Sequence, residues 1–129
     1  MMEMSFPGGA AVDAHYRGFT IRSDQPAGAG GEGAHPAPFD LFLASIGTCA
    51  GFYAVAFCRQ RELPVDGLGV RLETVRDPER KRLSAIRIEI DLPAGFPEKY
   101  RTALLRAVDQ CAVKRHIVEP PEMTVEIAG

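Results

Sequence analysis

The 129-residue chain has no tryptophan, only three cysteines and three histidines, and no basic excess: 15 Lys and Arg stand against 17 Asp and Glu, for a formal net charge of −2. Each shortage excludes something. Without a basic field, nothing would hold a nucleic acid or an anionic membrane surface non-specifically. The three cysteines are odd in number and irregularly spaced, and the N-terminus MMEMSFPGGA has neither a basic start nor an apolar signal segment. Secretion and a disulfide framework are therefore disfavoured, and a cytoplasmic protein with reduced thiols is expected. His15, His35 and His116 share no ligand spacing with one another or with the cysteines, so no metal site is expected. Gly28-Ala29-Gly30-Gly31-Glu32-Gly33 matches GxGxxG in letters, but two prolines separate it from the next helix and no parallel βαβ unit follows. No helix N-terminus would meet a pyrophosphate there, and no organic cofactor is expected.

What is present is apolar: 46% of the residues are hydrophobic, enough at this length for one domain, residues 1–129, around a modest core. From Leu41 to Cys58 the chain reads LFLASIGTCAGFYAVAFC, eighteen residues without a charge. That length is at the lower edge for a membrane span, but Ser45, Gly47, Thr48, Gly51 and four alanines dilute the run, and its surroundings read as soluble sheet and helix. It is expected to be a buried helix. Alternation of Val12, Ala14 and Tyr16 with polar neighbours, then FTIRSD, predicts a hairpin over residues 10–23 with its turn at Arg17-Gly18. After a Gly/Pro/Ala loop, Pro38 opens a helix running to about Glu62. Two half-buried strands around Leu68–Leu72 and Ile86–Leu92 flank the charged turn RDPERKR. Pro97 opens a second helix carrying Tyr100, Leu104, Ala107, Val108 and Cys111 on one face, and Met123, Val125 and Ile127 alternate as a closing strand. The order β-β-α-β-β-α-β is an α+β arrangement, antiparallel sheet packed on helices.

On the first helix, Ala44, Gly47, Gly51, Ala54 and Cys58 form a stripe of small side chains, and the opposite face carries Phe42, Cys49, Phe52 and Tyr53. One small domain has difficulty covering both faces, so a homodimer is expected. Cys49 and Cys58 lie about 180° apart around an ideal helix and cannot meet; Cys58 reads as a packing residue. Cys49 sits beside aromatic rings able to wall an apolar pocket, and Cys111, on a separate element, faces inward. Burial alone would raise the pKa of Cys49, and the helix start is too far away to lower it, so a working thiolate needs a cation. Arg17, Arg22 and Arg115 are the candidates.

Two segments carry a resemblance. Pro38-Phe39-Asp40-Leu41-Phe42-Leu43-Ala44-Ser45-Ile46-Gly47-Thr48-Cys49 and Ala107-Val108-Asp109-Gln110-Cys111-Ala112-Val113 resemble the two cysteine segments of the OsmC/Ohr superfamily of thiol-dependent hydroperoxide-reducing proteins. The resemblance implies an OsmC-like fold, an intertwined homodimer whose long central helices are wrapped by antiparallel sheets, with active sites at the subunit interface. It implies that Cys49 is the peroxidatic cysteine and Cys111 the resolving one. In the organic hydroperoxide resistance branch an acidic residue ten positions before the cysteine pairs with an N-terminal arginine. Phe39 stands at that place here, and Asp40 matches the acidic residue of other OsmC-like branches; the N-terminal arginine motif is absent as such, leaving Arg17 or Arg22 as substitutes.

Two functions follow as expectations. The first is a thiol peroxidase reducing organic hydroperoxides through a Cys49 sulfenic acid and a Cys49–Cys111 disulfide. An external dithiol then reduces that disulfide, and the resemblance points to a lipoyl group. Asp40, Arg17, Arg22, Phe42, Phe52 and Tyr53 would bind substrate or stabilise the thiolate. The second is a non-catalytic module holding an apolar or sulfur-containing small molecule beside cysteines that merely pack. A third and weaker option is another thiol chemistry, such as persulfide handling.

Overall fold

A computed structural model describes residues 1–129. Its contacts gather into two compact units, Met1–Ala44 and Ser45–Gly129.

The first unit is built on a three-stranded antiparallel sheet in the order β1 (Glu3–Gly8), β2 (Ala11–Tyr16), β3 (Phe19–Ser23). The predicted hairpin is β2–β3, with Arg17 at φ 50° and Gly18 at φ 81° making its two-residue turn. Strand β1 lacks a clean alternation, being interrupted by Pro7 and a register shift between Ser5 and Gly8, and was not anticipated. Register separates the two faces. Glu3, Ser5, Asp13, His15, Thr20 and Arg22 share one, where both ring nitrogens of His15 are engaged, with Ser5 Oγ at 2.7 Å and Thr20 Oγ1 at 3.3 Å. Met4, Ala14 and Ile21 line up on the other with Tyr16 and Phe19, and Met4, Phe19 and Ile21 are exposed.

The glycine-rich loop after β3 wraps around a carboxylate. Asp24, only 4% exposed, accepts hydrogen bonds from the backbone N–H groups of Gln25 at Oδ1 (2.7 Å) and of Glu32 and Ala34 at Oδ2 (both 3.2 Å). These donors, chiefly the Gln25 and Ala34 N–H groups, hold the Asp24 carboxyl below its ordinary range against the opposing effect of burial. The GxGxxG letters therefore describe a loop that folds onto an internal anion. Gly31 is required for a steric reason: a Cβ there would lie 2.0 Å from the Gln25 carbonyl oxygen and 2.7 Å from Asp24 Oδ1.

Helix α1 (Pro38–Gln60) begins in the first unit and runs into the second, where the chain continues through β4 (Gly69–Arg76), β5 (Leu83–Asp91), α2 (Arg101–Asp109) and α3 (Ala112–Val118). Strands β4 and β5 form a two-stranded antiparallel sheet. Val70 and Leu72 sit opposite Ile90 and Ile88 on one face, while Arg71 bridges Glu89 and Asp91 on the other. The apolar face joins a core of Ala50, Ala54, Phe57, Leu104 and Val108. Cys58 is fully buried, and burial pushes its thiol pKa up. It packs and stays protonated.

Within the chain one stripe of α1 is buried, made of Ile46, Ala50, Ala54, Phe57 and Cys58, and Phe52 remains 67% exposed. Two expectations are corrected. The second helix stops at Asp109, and Cys111 starts a separate helix. The closing strand does not form: residues after Val118 have no regular structure, and Met123, Val125 and Ile127 are exposed. A strand needs a partner edge, and alternation alone does not provide one.

Two measurements check the loop. Gly31→Ala should destabilise the protein by about 1–3 kcal/mol, because the added methyl meets backbone rather than a movable side chain; an unchanged thermal midpoint would contradict this. The lowered pKa of Asp24 means that its contribution is complete above the unfolded value of ~3.9 and disappears as pH falls through the folded value. Acid unfolding curves should accordingly be shallower for Asp24→Asn than for the parent.

Candidate functional site

The site is assembled from α1 and the break between α2 and α3. Pro38 supplies a preset φ at the first helical position, and the Asp40 carboxylate reaches back to accept the Ala37 N–H at 2.9 Å. Asp40 thus caps the helix start. It lies nine residues before Cys49, roughly 13 Å along an ideal helix axis. Phe42 pairs with Phe39, ring centroids 5.3 Å apart.

Cys49 is half-buried and Cys111 fully buried. At the end of α2 the Gln110 and Cys111 N–H groups close short bonds onto the Ala107 and Val108 carbonyls. Cys111 then turns extended, at φ −47° and ψ 121°, and becomes the N-cap of α3, its Sγ accepting the Lys114 N–H at 3.5 Å. This turn aims the first N–H groups of α3, those of Ala112 and Val113, at Cys49. Of the groups that lower the Cys49 pKa, the Cys111 thiol is the largest.

The two sulfurs are driven apart in acidity. Burial pulls the Cys49 pKa up, but the Cys111 thiol and the Val113 and Ala112 N–H groups together outweigh it, and the net shift is downward. Burial pushes the Cys111 pKa up, and Cys49 pushes it further. The coherent assignment is a Cys49 thiolate accepting from a Cys111 S–H, a nucleophile with a protonated partner.

The arginines have other surroundings. The Arg17 guanidinium lies 4.9 Å from the Tyr16 ring centroid. Arg22 lines a cavity of about 690 Å³ in the first unit with Asp13, Glu32 and His35. The Arg115 backbone N–H donates to the carbonyl of Cys111, the N-cap of α3, and Arg115 lines a pocket with Asp109, Lys114, Val118 and Glu119. No guanidinium is among the groups that set the Cys49 titration. Backbone N–H groups and a thiol occupy the role for which a cation was expected. The sequence carries little sign of this, since no glycine or proline marks the break at Gln110-Cys111.

Phe52 and Tyr53 lie one helical turn beyond Cys49, edge to face with centroids 5.4 Å apart. With Arg106 and Gln110 they line a cleft of about 410 Å³. Of the residues considered at the outset, the structure brings together Cys49 and Cys111, and the Phe52–Tyr53 cleft adjoins both along the chain. No three side chains of the His, Cys, Asp or Glu type converge as metal ligands would.

Residues 30–126 match the family model of the OsmC-like proteins, and the chain belongs to that family. Solved structures share the fold, a mixture of helices and antiparallel sheets. A Psychrobacter arcticus protein described as an osmotic stress induced and detoxification response protein is 20% identical over 88% of this chain and 85% of its own, with a TM-score of 0.74. A structural genomics target is 20% identical over 93% and 90%, with a TM-score of 0.72. A Legionella pneumophila protein described as an organic hydroperoxide resistance protein OsmC is 17% identical over 91% and 87%, with a TM-score of 0.58. No curated protein matches in sequence.

The donor set predicts a titration. The Cys49 thiolate, followed by its ultraviolet absorbance or by alkylation rate, should form with a midpoint below that of a free thiol, so more of it is ionised at neutral pH. Cys111→Ala removes one donor and should move the midpoint upward; a midpoint that stays or falls would exclude the assigned donor.

Proposed function

We propose that the protein is a thiol peroxidase that reduces organic hydroperoxides at Cys49, with Cys111 as the resolving thiol. The observation that carries this reading is the pairing of two thiols that shift each other's acidity in opposite directions, Cys49 downward and Cys111 upward, with Cys111 held at the start of α3 by the Lys114 N–H. A thiolate attacks the outer oxygen of ROOH, the O–O bond breaks, and the alkoxide takes a proton from solvent to leave as ROH. Cys49 becomes a sulfenic acid, two electrons having passed from sulfur to oxygen. Cys111 then displaces the hydroxyl as water and forms the disulfide. An external dithiol, a lipoyl group being one of suitable chemistry, restores both thiols by exchange. The Phe52–Tyr53 cleft would take the apolar part of the substrate. Membership of the OsmC-like family supports the reading, as does the description of the Legionella relative.

The working unit in this proposal is a homodimer in a reducing compartment, the cytoplasm. Phe52 on α1 and Met4, Phe19 and Ile21 on one sheet face are exposed in the single chain. Covering each large apolar side chain contributes about 1.5–3 kcal/mol, and a second copy offers matching surfaces.

Mixing pre-reduced protein with cumene hydroperoxide should consume one equivalent per chain, with peptide mapping recovering a Cys49–Cys111 disulfide. Cys49→Ser should lose at least about 10³-fold in rate, since a hydroxyl is a poor nucleophile at neutral pH. Equal rates for the parent and Cys49→Ser would end the peroxidase proposal. Sedimentation without detergent should give a dimer, whereas a monomer, or insolubility until lipid is added, would exclude the proposed assembly.

A further inference from the structure

The break that presents Cys111 is closed by a clasp. Lys114 makes two attachments from one residue. Its backbone N–H donates to Cys111 Sγ at 3.5 Å, and its side-chain Nζ forms an ion pair with Asp109 Oδ1. Asp109 is the last residue of α2 and Lys114 lies in the first turn of α3, so the ion pair spans the non-helical joint that contains Gln110 and Cys111. We propose that Asp109 and Lys114 are positioning residues for the resolving step, keeping the joint closed while Cys111 leaves its cap to attack the oxidised Cys49. The inference rests on the peroxidase reading.

The need for a clasp follows from the geometry of the step. In the reduced protein Cys111 Sγ accepts the Lys114 N–H at 3.5 Å, and the Val113 N–H and Cys49 also act on it. Forming the disulfide brings the sulfurs to about 2.05 Å, so Cys111 Sγ must move off the Lys114 N–H. The reaction is Cys49–SOH plus Cys111–SH giving Cys49–S–S–Cys111 and water, with the hydroperoxide as the oxidant that made the sulfenic acid. At that moment α3, only seven residues long, loses its side-chain cap, and a helix of that length has little stability of its own. Backbone bonds remain, from the Cys111 N–H to the Val108 carbonyl and from the Arg115 N–H to the Cys111 carbonyl, but the Asp109–Lys114 pair is the side-chain tie that spans the joint without involving the moving sulfur. A slower resolving step leaves the sulfenic acid available to a second hydroperoxide, which converts it irreversibly to sulfinic acid.

The pair is exposed, with side chains 42% and 63% accessible, so salt should screen it. This separates a positioning role from a merely structural one. Reduced parent protein is oxidised with excess cumene hydroperoxide, and sulfenic acid, disulfide and sulfinic acid are followed by quenched-flow mass spectrometry from about 20 mM to about 500 mM NaCl. The expected result is a disulfide-forming rate that falls several-fold with salt in the parent while the first, peroxide-consuming step does not change. Lys114→Met and Asp109→Asn should slow disulfide formation about fivefold at low salt, abolish its salt dependence and raise the sulfinic fraction. Lys114→Arg and Asp109→Glu should restore parental partitioning. A salt-independent resolving step in the parent overturns the inference without recourse to any variant, as does unchanged partitioning in Lys114→Met. Absence of peroxide consumption by the parent would remove the peroxidase reading and the inference with it; normal consumption with unaltered partitioning removes the inference alone.

Discussion

The pairing of the Cys49 and Cys111 thiols organises the second unit chemically. It joins the middle of the longest helix to the joint between the two shortest, and it divides two like groups into an ionisable one and a protonated one. The division depends on local backbone geometry. Because Cys111 is extended rather than helical, α3 begins afresh beside Cys49, and its first unpaired N–H groups reach that sulfur instead of closing onto the preceding turn. Had α2 continued through Cys111, those N–H groups would have bonded within the helix and Cys49 would have faced burial without compensation.

The same physical device appears twice in this chain. In the first unit a loop directs three backbone N–H groups at the Asp24 carboxylate, and in the second the start of α3 directs two at Cys49. In both, backbone N–H groups supply most of the stabilisation of an anion in a partly apolar setting, with His35 adding a smaller charge contribution at Asp24. A backbone donor is held by the chain itself and adds no buried charge that must in turn be neutralised.

The architecture leaves apolar side chains exposed in both units. Met4, Phe19 and Ile21 belong to one sheet face, and Phe52 belongs to the helix that carries Cys49. One stripe of α1 packs on Leu104 and Val108, while Phe52 on another stripe stays exposed.

By itself the sequence determined the β2–β3 hairpin, α1 and the β4–β5 pair, because period-two and helical spacing of apolar residues follow directly from which side must leave water; Cys111 is buried as expected, but at the cap of a separate helix and not by helical spacing on the second one. The sequence determined as well that Cys58 packs and cannot meet Cys49, which is a matter of angle along one helix. Strand β1 was hidden by Pro7 and a bulge, and Met123, Val125 and Ile127 alternate without forming a strand, since pairing depends on an available edge and not on pattern. Only the tertiary structure decided what stabilises the thiolate. The donors are backbone groups of Ala112 and Val113, whose side chains carry no sign of the task. They became available only because the helix broke at a cysteine, with no glycine or proline to mark the place.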